Sequence, residues 1–182
     1  MIRLFVALII PDEIKSEILK HCFAASENPS DYRWEDKDKI HLTLKFIGEV
    51  KEELLPEIID ELEFVKSYSS FNCEVSRFGF FFRDNQPKIL WCNLETDESI
   101  VSLAAELNRR LSKFGIEAEK RKYKGHLTLL RIKERTKEDF IKKYREYKFN
   151  LIKFNSNKIA LIRSMLSPKG SEYKTLKIYE LK

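Results

Sequence analysis

Cysteine is scarce and poorly placed for covalent or metal chemistry: Cys22, Cys73 and Cys92 are odd in number and show no CxxC or comparable spacing. That argues against a disulfide framework and a zinc site, and makes a reducing cytoplasm the expected compartment. Long hydrophobic runs are missing as well. The opening stretch Ile2–Ile10 is apolar but short, without the usual basic lead-in or a small-residue cleavage site, and Pro11-Asp12 ends it sharply. It reads as a buried strand; neither a signal peptide nor a membrane span is expected. Histidine occurs only three times. What is abundant is charge: 35% of the 182 residues, with a net +5 and a pI near 9.0, against about 25% charged residues in an average soluble domain. The excess hints at a thermophilic source. The basic balance favours an anionic partner. Its densest stretch, Lys120-Arg121-Lys122-Tyr123-Lys124, is either a solvated loop or an electrostatic guide for phosphates.

The length suits a single domain, 1–182, built from two lobes and able to bury roughly 70% of its unfolded surface; a monomer is the default. Phe5–Ile10 reads as a central strand. A helix follows from an Asp12 N-cap to about Ala24. Tyr32–Glu35 reads as a short strand, and Ile40–Ile47 as a longer one closed by Gly48. Glu52 to about Lys66 has a helical period, with Pro56 near its start. Phe71–Phe82 and Ile89–Leu94 are strands joined by turn chemistry at 83–87. Glu98–Phe114 is the clearest helix, with Gly115 as its C′ residue. Thr136 to about Tyr147 is a helix with Thr136 and Asp139 at capping spacing, and Ile159–Met165 and Tyr173–Leu181 are strands around a turn.

Two of the three histidines open copies of one pattern 85 positions apart, His41-Leu42-Thr43-Leu44-Lys45-Phe46 and His126-Leu127-Thr128-Leu129-Leu130-Arg131. On a strand, His and Thr two apart share one face, and the leucines share the other. The pattern belongs to a coarse repeat of strand, helix, polar linker and motif strand. Phe5 precedes His41 by 36 positions, and Leu90 precedes His126 by the same 36. The fold class expected is α+β: two pseudo-symmetric lobes, each an antiparallel sheet with helices on its outer face, with a groove between the sheets.

An imidazole with an ordinary pKa near 6.5 can serve as base or acid at neutral pH. Two of them, one neutral and one protonated, could activate water and protonate a leaving oxygen. The threonine hydroxyls can donate to phosphoryl oxygens, with nearby cations offsetting the charge. Lys45 lies on the His41 face by parity. Arg131 lies off the His126 face unless a bulge intervenes. Phosphodiester cleavage without metal fits these parts. A metal site lacks carboxylates or cysteines at ligand spacing near either motif, and no cofactor is expected. The alternatives are a basic RNA-end-binding module without turnover, and the same chemistry on small cyclic nucleotides. By parity alone donor and acceptor cannot be told apart.

Over nearly its whole length the chain resembles the 2H phosphoesterases, and within them the RNA 2′,3′-cyclic phosphodiesterases, also called 2′-5′ RNA ligases. The resemblance rests on Arg3–Ala7, on His41–Val50, and on Pro87-Lys88-Ile89-Leu90-Trp91. It continues through Gly125–Arg131 and Ser164–Leu166 to Gly170 and Tyr173. Gly125 stands where that family usually has proline, which would loosen the backbone entering the strand. The resemblance implies His41 as proton donor, His126 as proton acceptor, and Thr43, Thr128 and Arg131 on the phosphate, with Lys45 added by parity. It also implies a 2H phosphoesterase-like groove and an RNA 3′ end bearing a 2′,3′-cyclic phosphate as partner, tRNA fragments being one candidate. The product would be a 2′-phosphate, with 2′-5′ ligation as the reverse reaction.

Overall fold

The computed structural model describes residues 1–119, 122–132, 138–168 and 170–182. Along the chain run β1 (Ile2–Ile9), α1 (Asp12–Ala25), β2 (His41–Val50), α2 (Leu55–Glu61), β3 (Phe71–Val75), β4 (Phe78–Arg83) and β5 (Gln86–Asn93). There follow β6 (Glu95–Thr96), α3 (Ser99–Leu111), β7 (His126–Arg131), α4 (Glu138–Glu146), β8 (Ile152–Ser156), β9 (Lys158–Ser167) and β10 (Gly170–Glu180).

The α+β class and the antiparallel sheets are as expected, and the repeat shows in the topology. β1, α1 and β2 form one unit, β5, α3 and β7 the other, and in each the first strand pairs antiparallel with the motif strand. The sheets themselves are distributed differently. One seven-stranded sheet runs β10-β9-β1-β2-β7-β5-β4, and a separate three-stranded sheet runs β6-β3-β8. Both motif strands are therefore neighbours in a single sheet. They are joined at a single pair of facing residues, Leu42 and Leu127. The expected groove between two sheets is thus an opening along the seam of one.

Alternation decides the two faces. Leu4, Val6 and Leu8 of β1 and Leu42 and Leu127 of the motif strands enter the main core. Ile14 and Ile18 of α1 meet them there, with Leu103 and Leu107 of α3. The opposite face carries only a small cluster, Phe5, Ala7, Ala160 and Ile162, with Ile9 and Tyr173 against it. Most of the apolar burial lies on the helix side, which leaves much of the other face of the sheet open.

Several local expectations shift. Asp12 is the first residue of α1 rather than its cap, and no side chain caps the helix; its carboxylate meets Lys15 at 3.1 Å instead. Gly48 does not close β2. It adopts φ +82° while the strand runs on to Val50, as a bulge residue in the left-handed region does. The 52–66 helix is real only over α2; short 3₁₀ turns flank it. Phe71–Phe82 breaks at Ser76-Arg77 into strands of different sheets, and β8 had no clear signal. Trp34 makes only an isolated bridge to Leu130. The β4–β5 turn uses Asp84 and Asn85 at φ 51° and 57°, the mirror-image geometry whose twist suits a hairpin. The expected capping residue Thr136, and Lys120 and Arg121 of the basic stretch, lie outside the described residues.

Candidate active site

Continuing the antiparallel register one step either side of Leu42 and Leu127 sets His41 opposite Thr128 and Thr43 opposite His126. Facing residues of antiparallel strands sit about 5 Å apart at Cβ and diagonal ones about 7–8 Å. The two imidazoles are thus diagonal partners on the open face, each beside the other strand's hydroxyl, with a gap that matches a phosphoryl group. All four side chains are half-buried.

A bulge in each motif decides which cation joins them. In β2 the register passes from Thr43 opposite Ala7 to Lys45 opposite Val6, skipping Leu44. In β7 it passes from Thr128 opposite Trp91 to Leu130 opposite Leu90, skipping Leu129. The alternation therefore reverses after the fourth residue of each copy. The fifth turns inward and the sixth outward. Arg131 joins the face of His126 and Thr128, as it needed a bulge to do. Lys45 does not join it: only 2% exposed, it points to the helix side and donates to the Glu117 carbonyl. The parity assignment of Lys45 to the phosphate is corrected on that ground.

The surroundings hold and tune each group. Phe5 stacks on the His41 ring at 4.9 Å and Tyr173 meets its edge at 5.4 Å. Burial depresses the His41 pKa to about 4; a hydrogen bond to the Lys39 backbone opposes this, and the charges of Lys15, Arg131 and His126 add to it. His126 is held edge-on by Phe81 at 4.8 Å. Its pKa is also lowered, first by burial and then by the Lys124 and Arg131 charges, against a hydrogen bond to the Lys124 carbonyl. That bond, from Nδ1 at 2.9 Å, assigns the ring proton to Nδ1 in the neutral tautomer and leaves the Nε2 lone pair for a substrate.

Arg131 is 58% exposed at its side chain, with Nε donating to Glu35 at 2.9 Å. Glu35 is fixed in turn by its N–H to the Leu129 carbonyl at the bulge, 2.8 Å. Underneath Phe81 lies Trp91, buried, with Lys124 Nζ 5.1 Å above its ring. Gly79 is required there, since a Cβ would come within 2.3 Å of the indole. Gly125 does not loosen the entry to β7 as the missing proline suggested. A Cβ on it would lie 2.3 Å from the Leu94 carbonyl oxygen, and its own carbonyl accepts from Leu94 N–H.

Sequence reasoning passed over Glu35, Lys15, Phe5 and Phe81. Phe5 stands at the start of the first repeat unit, whereas Phe81 lies on β4 outside the repeat and carried no such signal. Tyr123 of the basic stretch donates its hydroxyl to the Thr43 carbonyl. Among the described residues no group of three or more His, Cys, Asp or Glu side chains is placed to hold a metal ion. Among them, too, no helix is long and apolar enough to cross a membrane. The cysteines are buried free thiols.

Comparison with known proteins follows the same outline. The model of LigT-like phosphoesterases matches residues 10–91 and 93–173. The RNA 2′,3′-cyclic phosphodiesterase of Methanocaldococcus jannaschii is 32% identical over 96% of this chain and 98% of its own. That of Archaeoglobus fulgidus is 30% identical over 98% and 99%. Among solved structures, a Thermus thermophilus protein superposes with a TM-score of 0.80 over 98% of this chain and 97% of that one, at 23% identity. E. coli LigT complexed with 3′-AMP gives 0.78 over 100% and 98%, at 21% identity. With a family model that covers most of the chain, and relatives at 30% identity or more over nearly its full length, the chain belongs to the LigT-like phosphoesterase family.

Proposed function

We propose that this protein hydrolyses the 2′,3′-cyclic phosphate at RNA 3′ ends to a 2′-phosphomonoester, without metal. The observation that carries the reading is the register at Leu42 and Leu127, which pairs each histidine with the other strand's threonine around one phosphate-sized gap. The activity for which the relatives are named, RNA 2′,3′-cyclic phosphodiesterase, supplies the substrate. His126 Nε2 takes a proton from water as its oxygen attacks phosphorus. The bond from phosphorus to the 3′ oxygen breaks, and His41 in its protonated form gives that oxygen its proton. Thr43 and Thr128 donate to the non-bridging oxygens, and Arg131 meets the charge that builds on them. An RNA 5′-hydroxyl in place of water gives a 2′-5′ linkage by the same steps.

The test is a short RNA ending in a 2′,3′-cyclic phosphate, incubated in EDTA, with the product end identified. A 2′-phosphate is expected, along with losses of at least about 10²-fold in kcat for His41→Ala and for His126→Ala. A 3′-phosphate reverses the leaving group. Activity lost to EDTA and restored by zinc removes the metal-free mechanism.

A further inference from the structure

The β7 bulge turns Arg131 to the open face, where its charge acts on both imidazoles. The guanidinium is not bare there. Its Nε donates to Glu35 Oε1 at 2.9 Å, and the mechanism above gives that carboxylate no part. Glu35 is anchored through the backbone. Its N–H donates to the Leu129 carbonyl at 2.8 Å, and Trp34 before it bridges Leu130 and ties its indole N–H to the Pro29 carbonyl at 2.8 Å. The Glu35 side chain is 17% exposed and that of Arg131 58%, so the acid lies on the protein side of the pair and the cation on the open side.

Such a pair acts on an incoming oxyanion in two ways. Arginine has five N–H donors in a rigid fork, and this contact uses the one on Nε. The Nη groups keep theirs for the ligand, in an orientation that Glu35 holds. The carboxylate also offsets the charge of the guanidinium. A ligand on the fork lies about 7 Å from the carboxylate, and at a water-like dielectric that repulsion weakens binding about threefold for each negative charge on the ligand. A phosphodiester carries one such charge. A phosphomonoester carries close to two at neutral pH, because its second pKa is about 6, so the penalty compounds to about tenfold. Opening a cyclic phosphodiester turns the first kind of ligand into the second, in the same site.

We propose that Glu35 sets the charge selectivity of the site: acting through Arg131, it favours a monoanionic phosphodiester over a dianionic phosphomonoester and so eases release of the product. Glu35 is a positioning residue, since it touches Arg131 and not the phosphate. The product-release part rests on the hydrolysis proposed above; the selectivity between phosphate ligands rests on the Arg131 contact alone.

The experiment is calorimetric titration of the wild type, Glu35→Gln and Glu35→Ala with adenosine 2′-monophosphate and with its methyl phosphodiester, at about pH 7.5, where the two ligands differ by about one charge. Glutamine keeps an acceptor for Nε and removes the charge; alanine removes both. Glu35→Gln is expected to bind the monoester about tenfold and the methyl diester about threefold more tightly than the wild type. Glu35→Ala should gain less for both ligands, because the fork is no longer held. Equal changes for the two ligands, or weaker binding of both by Glu35→Gln, overturn the charge role. Affinities in Glu35→Ala that match those in Glu35→Gln overturn the orienting role. Binding of neither ligand to any of the three proteins removes Arg131 as the partner of the oxyanion, and the proposal with it. In turnover of the cyclic phosphate, the inhibition constant of the 2′-phosphate product should fall about threefold further than KM does in Glu35→Gln. If the cyclic phosphate is not opened at all, the hydrolysis proposed above fails, while the titrations still decide the selectivity.

Discussion

A general acid that starts from a folded-state pKa near 4 leaves a signature in the pH dependence of kcat/KM. Burial against Phe5 and Tyr173 holds His41 there, and His126 sits below the ordinary imidazole value for the same reason. In the mechanism proposed above, the working state needs His41 protonated and His126 neutral. At pH 7 a group of pKa about 4 carries its proton in about one molecule in a thousand. Between pH 4 and the His126 value, each unit of rising pH removes His41 protons about as fast as it frees His126, so kcat/KM is level. Above that value only the loss remains, and kcat/KM falls about tenfold per unit. The cyclic phosphodiester has no titration of its own in this range, so the limb belongs to the enzyme. Once bound, its negative charge raises both imidazoles, and kcat therefore keeps its level region to higher pH than kcat/KM does. The assay is steady-state hydrolysis from about pH 4 to 9 at constant ionic strength, for the wild type and His41→Ala. The residual rate of His41→Ala should lose the alkaline limb and rise to a plateau as His126 deprotonates. A wild-type kcat/KM that climbs between about pH 6 and 8, or an alkaline limb unchanged in His41→Ala, would refute the assignment.

The same depressed values govern stability. An unfolded imidazole takes its proton near pH 6.5 while folded His41 resists until about 4. The unfolded state thus binds more protons in that window and stability falls as pH drops through it; melting temperatures should decline from pH 6.5 to about 4, less steeply for His41→Asn. Lys45→Met should keep kcat/KM within about threefold, since Lys45 lies behind the sheet, while the Glu117 carbonyl left unpaired costs about 1–3 kcal/mol in denaturant unfolding; a hundredfold loss of activity would put the ammonium back on the phosphate. Gly125→Ala drives a methyl against the Leu94 carbonyl. It should cost about 1–3 kcal/mol by overpacking and, by displacing His126, about 10²-fold in kcat; wild-type behaviour in both would show that the β7 entry has slack.

The site was more legible in the sequence than the sheet that carries it. Histidine and threonine two apart with leucines between them fix a face through the alternation of a strand alone. That held for all four side chains, because no irregularity lies within the first three residues of either copy. The 36-residue spacing likewise foretold the repeated strand–helix–strand units. What it could not foretell was that both motif strands sit in one sheet, since pairing between β2 and β7 rests on one pair, Leu42 and Leu127. Short β8 and the break at Ser76-Arg77 were hidden for a related reason. Their residues follow no strong alternation, and they are strands because β3 found a second sheet to join.

Lys45 and Arg131 show where alternation stops being a guide. Both belong to six-residue copies of one pattern, and a regular strand would present Lys45 and hide Arg131. The structure does the reverse, through one skipped residue in each strand, Leu44 and Leu129. Both skipped residues are leucines buried in the core. Two successive inward residues, Leu44 with Lys45 and Leu129 with Leu130, fill the helix side where a regular strand would bury one. The cost is a broken ladder; the return at β7 is an arginine brought round to the open face with His126 and Thr128. At β2 the residue brought round is Phe46, which extends the aromatic surface beside Phe5 at 6.1 Å. The two halves therefore share a backbone device and differ in what it delivers, a cation from β7 and an aromatic from β2. That difference makes the two halves unequal where the two copies in the sequence are nearly symmetric. The positive charge of Arg131 lowers both imidazoles whereas Phe5 stacks on His41 alone, and the pH profiles of the two alanine variants are where the inequality must appear.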